Sequence, residues 1–355
     1  MIRLTQFEFY KILTRKSIGI ALSILIVFLV VYSFWRHPGI MDGSAFYKPY
    51  EGAITTEKVK VAHNQYDSIW DSTKGRYQYG ALYDIVFFSP ETIKNSTRYD
   101  DHGNIMERTV NVSEIYYNKP WGYLLEYIDQ FGVVFMMIMI LLGLAPVFTE
   151  EYVLGTASLL RSSKRGKSKL VSAKCIASIL YVVMCAVLFT GVNLVLYWLR
   201  FGNLAGADTS IQSVGMYVYS FDYEFSPYTF TALQYYLVQL FTHIAGSLVF
   251  ASIVLLVSVL SSTSFIAIIT NTVIVGLPYL AFDVLNLNSG SLKWVEKFSI
   301  STMIRVTGLY QTPINYSLFG LNMSYLTLYI VVMAFMTVSI ILATYRIFHS
   351  REVFS

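Results

Sequence analysis

Residues 150–174 read EEYVLGTASLLRSSKRGKSKLVSAK and lie between two long runs without charged residues, 130–149 and 175–199. The segment carries six Lys or Arg residues against two acids. Basic residues concentrated beside apolar spans mark the cytosolic side of a membrane protein. The segment therefore predicts a cytosolic loop. The net charge of +4 is explained by this topology signal, and we expect no nucleic-acid partner.

Three further runs lack Asp, Glu, Lys and Arg, at 17–35, 225–282 and 306–345. A membrane helix needs about 20 mostly apolar residues, so the run of 58 residues at 225–282 must fold back, and the polar turn 261–264 divides it. We predict an all-α polytopic membrane protein with six transmembrane helices. Their expected bounds are 17–35, 131–149, 175–199, 231–260, 264–284 and 323–345. Pro278 is expected to kink or end the fifth.

The charge pattern also fixes the expected topology. The residues before the first span carry four Lys or Arg against one acid, whereas 201–224 carries three acids and no Lys or Arg. Both termini and the loop 150–174 are therefore expected in the cytosol, and 36–130 and 286–322 outside. The segment 286–322 is expected to hold short helices that dip back towards the membrane.

The segment 36–130 is long enough for one small external domain, of α+β or helical type. A helix is expected to open at Thr56, with one face shared by Val59, Ala62, Tyr66, Ile69 and Trp70, and a strand within 104–112. Cys175 and Cys185 lie in the third apolar run, so they are expected to act as small packing residues and not to form an external disulfide framework.

Residues 2–16 predict an amphipathic helix in the membrane interface, with Glu8, Lys11 and Arg15 on its water-facing side. A short basic tail that only sets the topology is the alternative. The following run of 19 uncharged residues, 17–35, is longer than the roughly 7–15 apolar residues of a signal peptide. We therefore expect an uncleaved first span.

No motif for catalysis, metal binding or nucleotide binding is found. The sequence lacks GxxxxGK[ST], HExxH and CxxC, so an ATP motor, if the chain uses one, must be a separate polypeptide. Polar residues inside the spans are candidates for function, although hydrogen bonding between helices is the simpler interpretation. They are Asn193, Gln239, His243 and Asn271. From the residues alone, 150–160 is either a helix that contacts a protein partner or a plain topology loop.

The order of the spans and the loop 150–174 resemble type-2 ABC transporter permeases. The resemblance is carried by Glu150-Glu151, Gly155-Thr156 and Leu159-Leu160, by the basic stretch behind them, and by Lys174 at the start of the next span. It implies an N-terminal interfacial elbow helix at 1–16, followed by the span at 17–35 and the external domain at 36–130. Spans two to six fill 131–355, with a cytosolic coupling loop at 150–174.

The resemblance also implies partners and site residues. A soluble ATP-binding subunit would bind ATP and Mg, so this chain would hold no cofactor, metal or catalytic residue of its own, and a second copy or a similar permease would complete the path. The implied contacts with the ATPase subunit are Glu150, Glu151, Gly155, Thr156, Leu159, Leu160, Arg15 and Lys16. Spans two and five would line the cargo path, with Phe135, Met139 and Asn271 as candidates.

The expected function is the permease subunit of an ATP-driven exporter in a bacterial plasma membrane, surrounded by membrane lipids. Its Met- and Phe-rich second span suits a hydrophobic or amphipathic cargo, such as a peptide, an antibiotic or a lipid-like molecule. The large segment 36–130 departs from the compact members of the family, so their substrates are not carried over. The alternative is a membrane sensor or scaffold whose external domain binds a ligand.

Overall fold

The computed structural model describes residues 1–35, 44–69, 75–89, 92, 98–99, 105–106, 112–155, 166–214, 223, 226–287, 292–311, 314–318 and 321–350. Within these residues, six helices are long and apolar enough to cross a membrane. They are Lys16–Trp35 (span 1), Lys119–Val153 (span 2), Ser168–Phe201 (span 3), Ala232–Leu260 (span 4), Ser264–Val284 (span 5) and Tyr325–Ser350 (span 6). The prediction of a helical, multi-pass membrane protein is confirmed.

The remaining elements are short. Helices cover Ile2–Leu13, Ser44–Tyr47, Thr56–Ile69, Gly75–Phe87, Leu292–Lys297 and Ile300–Arg305, with 3-10 turns at Ile211–Ser213 and Thr307–Leu309. Antiparallel strands pair Gly52–Ala53 with Glu114–Ile115, Arg98–Tyr99 with Ile105–Met106, and Asn315–Leu318 with Leu321–Ser324. The helix expected from Thr56 is present, and the strand expected within 104–112 is seen at Ile105–Met106. Most of the rest of that stretch lies outside the described residues.

The ends of spans 4 and 5 follow from local side-chain chemistry. Thr231 accepts a hydrogen bond from the Gln234 backbone N–H, and the Gln234 side chain accepts one from the Thr231 N–H, a capping box that starts span 4. Span 5 starts with a simpler cap, in which the Thr263 hydroxyl accepts a hydrogen bond from the Ile266 N–H. The α-helix of span 5 ends at Pro278 and continues as a π-helix, Tyr279–Val284, which agrees with the break expected at this proline.

Span 2 is one helical path with two irregularities. It begins at Lys119 and not near residue 131, so residues 119–130 are continuous with it. A π-helical segment, Ile128–Gly132, interrupts it near this end. A second break lies before Pro146, where Ser258 of span 4 donates to the Ala145 carbonyl at 2.6 Å and accepts from the Phe148 N–H at 3.1 Å. These bonds satisfy backbone groups that lipid cannot.

Span 4 is the centre of the bundle. It packs against spans 2, 3, 5 and 6 and against the helix Ile300–Arg305. Close approach to that helix requires Gly246, because a Cβ atom there would overlap the Met303 carbonyl oxygen. The short helices predicted within 286–322 are thus present, and one of them packs deep against the bundle.

The residues between spans 1 and 2 have a small hydrophobic cluster of their own, which includes Ala62, Ala81 and Leu82. Asp84 is buried beside it and accepts a hydrogen bond from the Tyr47 hydroxyl at 3.0 Å. Burial, partly offset by the positive charge of Lys119, raises the pKa of the Asp84 carboxyl well above its usual value.

Candidate functional site

A buried ion cluster joins the N-terminal helix to the adjacent ends of spans 2 and 3. The Lys174 ammonium lies 2.8 Å from a carboxylate oxygen of Glu8 and 2.8 Å from one of Glu151. It also donates to the Val147 carbonyl at 2.9 Å. An ammonium has three N–H donors, and here each has an acceptor. This explains how Lys174 can be 0% exposed inside a largely apolar bundle.

The position of Glu8 corrects one sequence-based expectation. We expected Glu8 on the water-facing side of the N-terminal helix, but Thr5, Glu8 and Ile12 form its buried face, while Ile2 and Phe7 are exposed. The reason is Lys174, which is 166 residues away in the sequence and gives the Glu8 carboxylate a partner. Periodicity within a single helix cannot reveal such a partner.

A second set of charges continues the cluster towards the surface. The Arg15 guanidinium lies 2.9 Å from a Glu150 carboxylate oxygen, and the Lys11 ammonium lies 3.5 Å from the same oxygen. Arg15 also donates to the Gly143 carbonyl of span 2. Lys16, the first residue of span 1, is exposed. Arg15 thus pairs with Glu150, and Glu151 pairs with Lys174. Contact of these residues with an ATPase subunit stays a prediction.

The cluster balances its charges. Lys11, Arg15 and Lys174 face Glu8, Glu150 and Glu151, so three cations meet three anions. A balanced and hydrogen-bonded cluster avoids the large cost of a lone buried charge. Five members come from the N-terminal helix and the ends of spans 2 and 3, and Arg15 lies in the link between the N-terminal helix and span 1. The cluster therefore ties these parts of the chain into one junction. We call this set of six residues the ion cluster.

The helix that holds Glu150 and Glu151 stops directly after the ion cluster. It ends at Val153, and Gly155 adopts a left-handed backbone with φ of +67°, as is common just past a helix C-terminus. Of the two alternatives for 150–160, a helix that runs unbroken from residue 150 to 160 is therefore wrong, because the break lies at Leu154–Gly155. Val153 and Leu154 are 66% and 68% exposed. They form an apolar tip beside the buried Glu151. Thr156, Leu159 and Leu160 lie outside the described residues.

The candidate cargo residues are buried within the chain. Phe135 packs its ring against Phe28 and Phe189, which places it between spans 1, 2 and 3. Met139 is 1% exposed. Asn271 in span 5 is 0% exposed, and its amide donates to the Ala267 carbonyl one turn earlier. A role of these residues in a cargo path stays a prediction, and none of them faces open space in this conformation.

The other polar residues of the spans make contacts between helices. Asn193 donates to the Leu124 carbonyl, and Gln239 donates to the Leu125 carbonyl, at 3.3 Å each. His243 Nδ1 lies 2.6 Å from the Ile304 carbonyl oxygen. A carbonyl can only accept, so Nδ1 carries the proton. These contacts agree with the structural interpretation of the three residues.

A smaller charged group at the other end of the bundle was missed by the sequence analysis. Arg305 pairs with Asp129 at 3.5 Å and, more closely, with Asp283. Each aspartate lies in one of the two π-helical segments, which often mark functional positions. The next residue, Val306, has φ of +56°, a strained conformation for a β-branched residue. In the sequence, both aspartates stand directly beside an uncharged run. This position was the only feature of the sequence that could have pointed to the charged group.

The chain matches no protein-family model, and no curated protein or solved structure is similar to it at a significant level.

Proposed function

We propose that this chain is the membrane-spanning permease subunit of an ATP-driven exporter, and that a separate soluble ATPase subunit drives it. The observation that carries the proposal is the ion cluster, together with the exposed tip Val153–Leu154 directly beyond it. A protein that pushes on this tip acts on Glu150 and Glu151. Through them it acts on the N-terminal helix and span 3.

To transmit motion from a partner protein, the junction formed by the ion cluster must be stiff. A force applied at a flexible loop is lost in local motion, whereas a packed, hydrogen-bonded junction moves as one body. Lys174 holds carboxylates from two other elements at 2.8 Å, so displacement of the tip displaces all three elements. In this proposal the N-terminal helix is the interfacial elbow and residues 150–174 are the coupling loop.

The partners follow from the same proposal. The ATPase subunit binds ATP and Mg, and this chain contributes no catalytic residue. A second copy or a similar permease completes the path, and the exposed apolar stripe of span 5, which includes Phe265, Val273 and Leu277, is available to such a copy or to lipid. The favoured setting is a bacterial plasma membrane, with both termini in the cytosol.

The cargo in this proposal is hydrophobic or amphipathic. Phe135 and Met139 are buried between spans of the same chain, so cargo can touch them only in a second conformation in which spans 1 to 3 separate. The rigid junction at the cytosolic end of spans 2 and 3 is where such a change would begin.

The first test is recovery of the tagged chain from its native host in mild detergent, followed by mass spectrometry and an ATPase assay. Co-purification of a stoichiometric soluble subunit with a P-loop, together with ATP hydrolysis, supports the proposal. Recovery of the chain alone, with no hydrolysis, contradicts it and favours the sensor or scaffold alternative.

A variant pair locates the contact. Leu154→Asp places a charge on the exposed tip without touching the ion cluster, and we expect it to abolish co-purification of the ATPase. Val61→Asp is the matched control, because Val61 is also an exposed apolar residue, 49% exposed, on the helix between spans 1 and 2. Equal ATPase recovery with both variants would exclude the tip as the contact.

A further inference from the structure

A cavity of about 770 Å³ lies at the end of the bundle opposite the ion cluster. One wall is the segment that leads into span 2, residues 112–117. The facing walls come from residues 205–210, beyond span 3, and residues 229–231, just before span 4. The volume is within the range of about 300–1,000 Å³ that small-molecule sites occupy.

The walls of this cavity are held together by specific contacts. The Asn118 amide donates to the Ser213 hydroxyl at 2.8 Å and to the Thr209 hydroxyl at 3.3 Å. Gly206 has φ of +84°, and a Cβ atom there would lie 2.7 Å from the Asn118 Cβ, so only glycine permits this close packing. The cavity is therefore bounded by joined segments, as expected of a preformed site.

Backbone hydrogen bonds fix the third wall in the same way. The Ile211 N–H donates to the Phe230 carbonyl at 2.9 Å, and the Ala232 N–H donates to the Thr209 carbonyl at 2.9 Å. These bonds hold residues 229–231 against the loop that precedes them. The Phe230 side chain thus lies at a defined position in the cavity lining.

The lining combines aromatic rings with carboxylates. Tyr116 and Phe230 supply the rings, and Glu51, Glu114 and Asp208 supply the charges. Tyr117 also borders the cavity, but its side chain is buried, and its ring packs 5.4 Å from that of Tyr47. Among the described residues that line the cavity there is no Lys, Arg or His. The sequence 201–231 extends this bias, with three acids and no basic residue.

Two of the carboxylates are already oriented by neighbours. The Tyr116 hydroxyl donates to Glu114 at 3.0 Å, and the Tyr117 N–H donates to Glu51 at 3.3 Å. The hydrogen bond to Glu114 and the negative charge of Glu114 raise the pKa of the Tyr116 hydroxyl. Lys58 approaches one wall, where its ammonium donates to the Glu51 carbonyl at 2.8 Å.

We propose that this cavity binds an organic cation that carries an apolar ring or chain, such as a quaternary ammonium compound. Carboxylates attract the positive charge, and aromatic rings stabilise both the cation and its apolar part. Anions are repelled by the same carboxylates. The proposal does not depend on ATP-driven transport, because binding is measured without nucleotide and without a partner subunit.

The test uses the full chain in lipid nanodiscs and isothermal titration with benzyltrimethylammonium. Phenylmethanesulfonate has the same ring and the opposite charge, and empty nanodiscs correct for partition into lipid. We expect saturable binding of the cation and none of the sulfonate. Added salt should weaken the binding, because it screens charges near the surface.

Variants separate the cavity from the general surface. Glu114→Gln should lower the affinity for the cation about fivefold, the effect of one unit charge at about 4 Å in water. Glu57→Gln, which removes an exposed charge outside the lining, should leave the affinity unchanged. Ala205→Trp, at an exposed lining position, should narrow the cavity and weaken binding of the cation.

Three outcomes would overturn the proposal. They are equal affinity for the sulfonate, an equal loss with Glu57→Gln and Glu114→Gln, and heat that never saturates with added cation. Failure here would leave the exporter proposal untouched, because that proposal is decided by recovery of the ATPase subunit.

Discussion

Replacing Lys174 by Met removes the central cation of the ion cluster and keeps a side chain of similar length. Lys174 is 0% exposed, and carboxylate oxygens of Glu8 and Glu151 lie 2.8 Å from its ammonium. The variant leaves these two carboxylates buried without that cation. Breaking a buried pair in this way costs about 3–5 kcal/mol, a large part of the roughly 5–15 kcal/mol that stabilises an ordinary domain.

The assay is thermal unfolding of the detergent-solubilised protein, followed by tryptophan fluorescence. We expect Lys174→Met to lower the midpoint by on the order of 10 °C. Lys169→Met is the matched control, because Lys169 is an exposed lysine in the same helix, and surface changes usually stay within about 0.5 kcal/mol.

A rescue experiment separates lost attraction from lost packing. If the cost arises from the loss of the Lys174 cation beside the buried carboxylates, Glu8→Gln combined with Lys174→Met should recover part of the lost midpoint, because a neutral amide is less costly to bury than a carboxylate. A midpoint equal to that of Lys169→Met, or a double variant less stable than Lys174→Met alone, would refute the reasoning.

Three further predictions concern other parts of the molecule. Gly246→Ala should prevent the close contact with the Met303 carbonyl and greatly lower the yield of folded protein on size exclusion, whereas Gly191→Ala, at a position with open space, should not. Asp84→Asn should raise the thermal midpoint at about pH 8 but not at about pH 4. Because the pKa of Asp84 is raised in the folded state, its contribution to stability is present below about pH 4 and is lost as the pH rises through the folded-state pKa. A difference in thermal midpoint between Asp84→Asn and the parent protein that does not change with pH across this range would contradict the raised pKa. Arg305→Met should lower the free energy of unfolding by roughly 1–3 kcal/mol, less than the loss of a fully buried ion pair, because the Arg305 side chain is 30% exposed. An unchanged thermal midpoint would show that the two aspartate contacts of Arg305 do not stabilise the fold.

Much of the fold could be predicted from the sequence because a membrane imposes a length rule. An uncharged, apolar run of about 20 residues is typical of a membrane span. This rule predicted the six spans. The starts of the helices were harder to place. Span 2 begins at Lys119, and the charged residues Lys119, Glu126 and Asp129 concealed its first turns from a search for uncharged runs.

The candidate site was predictable only in part. The acidic pair Glu150-Glu151 and the basic Arg15 were noticed, and they meet in one cluster. That Lys174 pairs with both Glu151 and Glu8 could not be foreseen, because ion pairs between distant elements leave no local pattern. The same holds for the cavity beside span 2, whose lining comes from Glu51 and three other separate stretches of the chain.

The burial of Lys174 has a consequence for biogenesis. The N-terminal helix is synthesised first, yet its buried partner is 166 residues away. At about 5–20 residues per second, Glu8 waits roughly 10–30 s for Lys174 to leave the ribosome. The helix Ile2–Leu13 can therefore complete its buried contacts only late in synthesis. Its packing requires that span 3 has been inserted in the correct direction. A nascent chain that stops before Lys174 therefore lacks the ion pair that holds this helix against span 3.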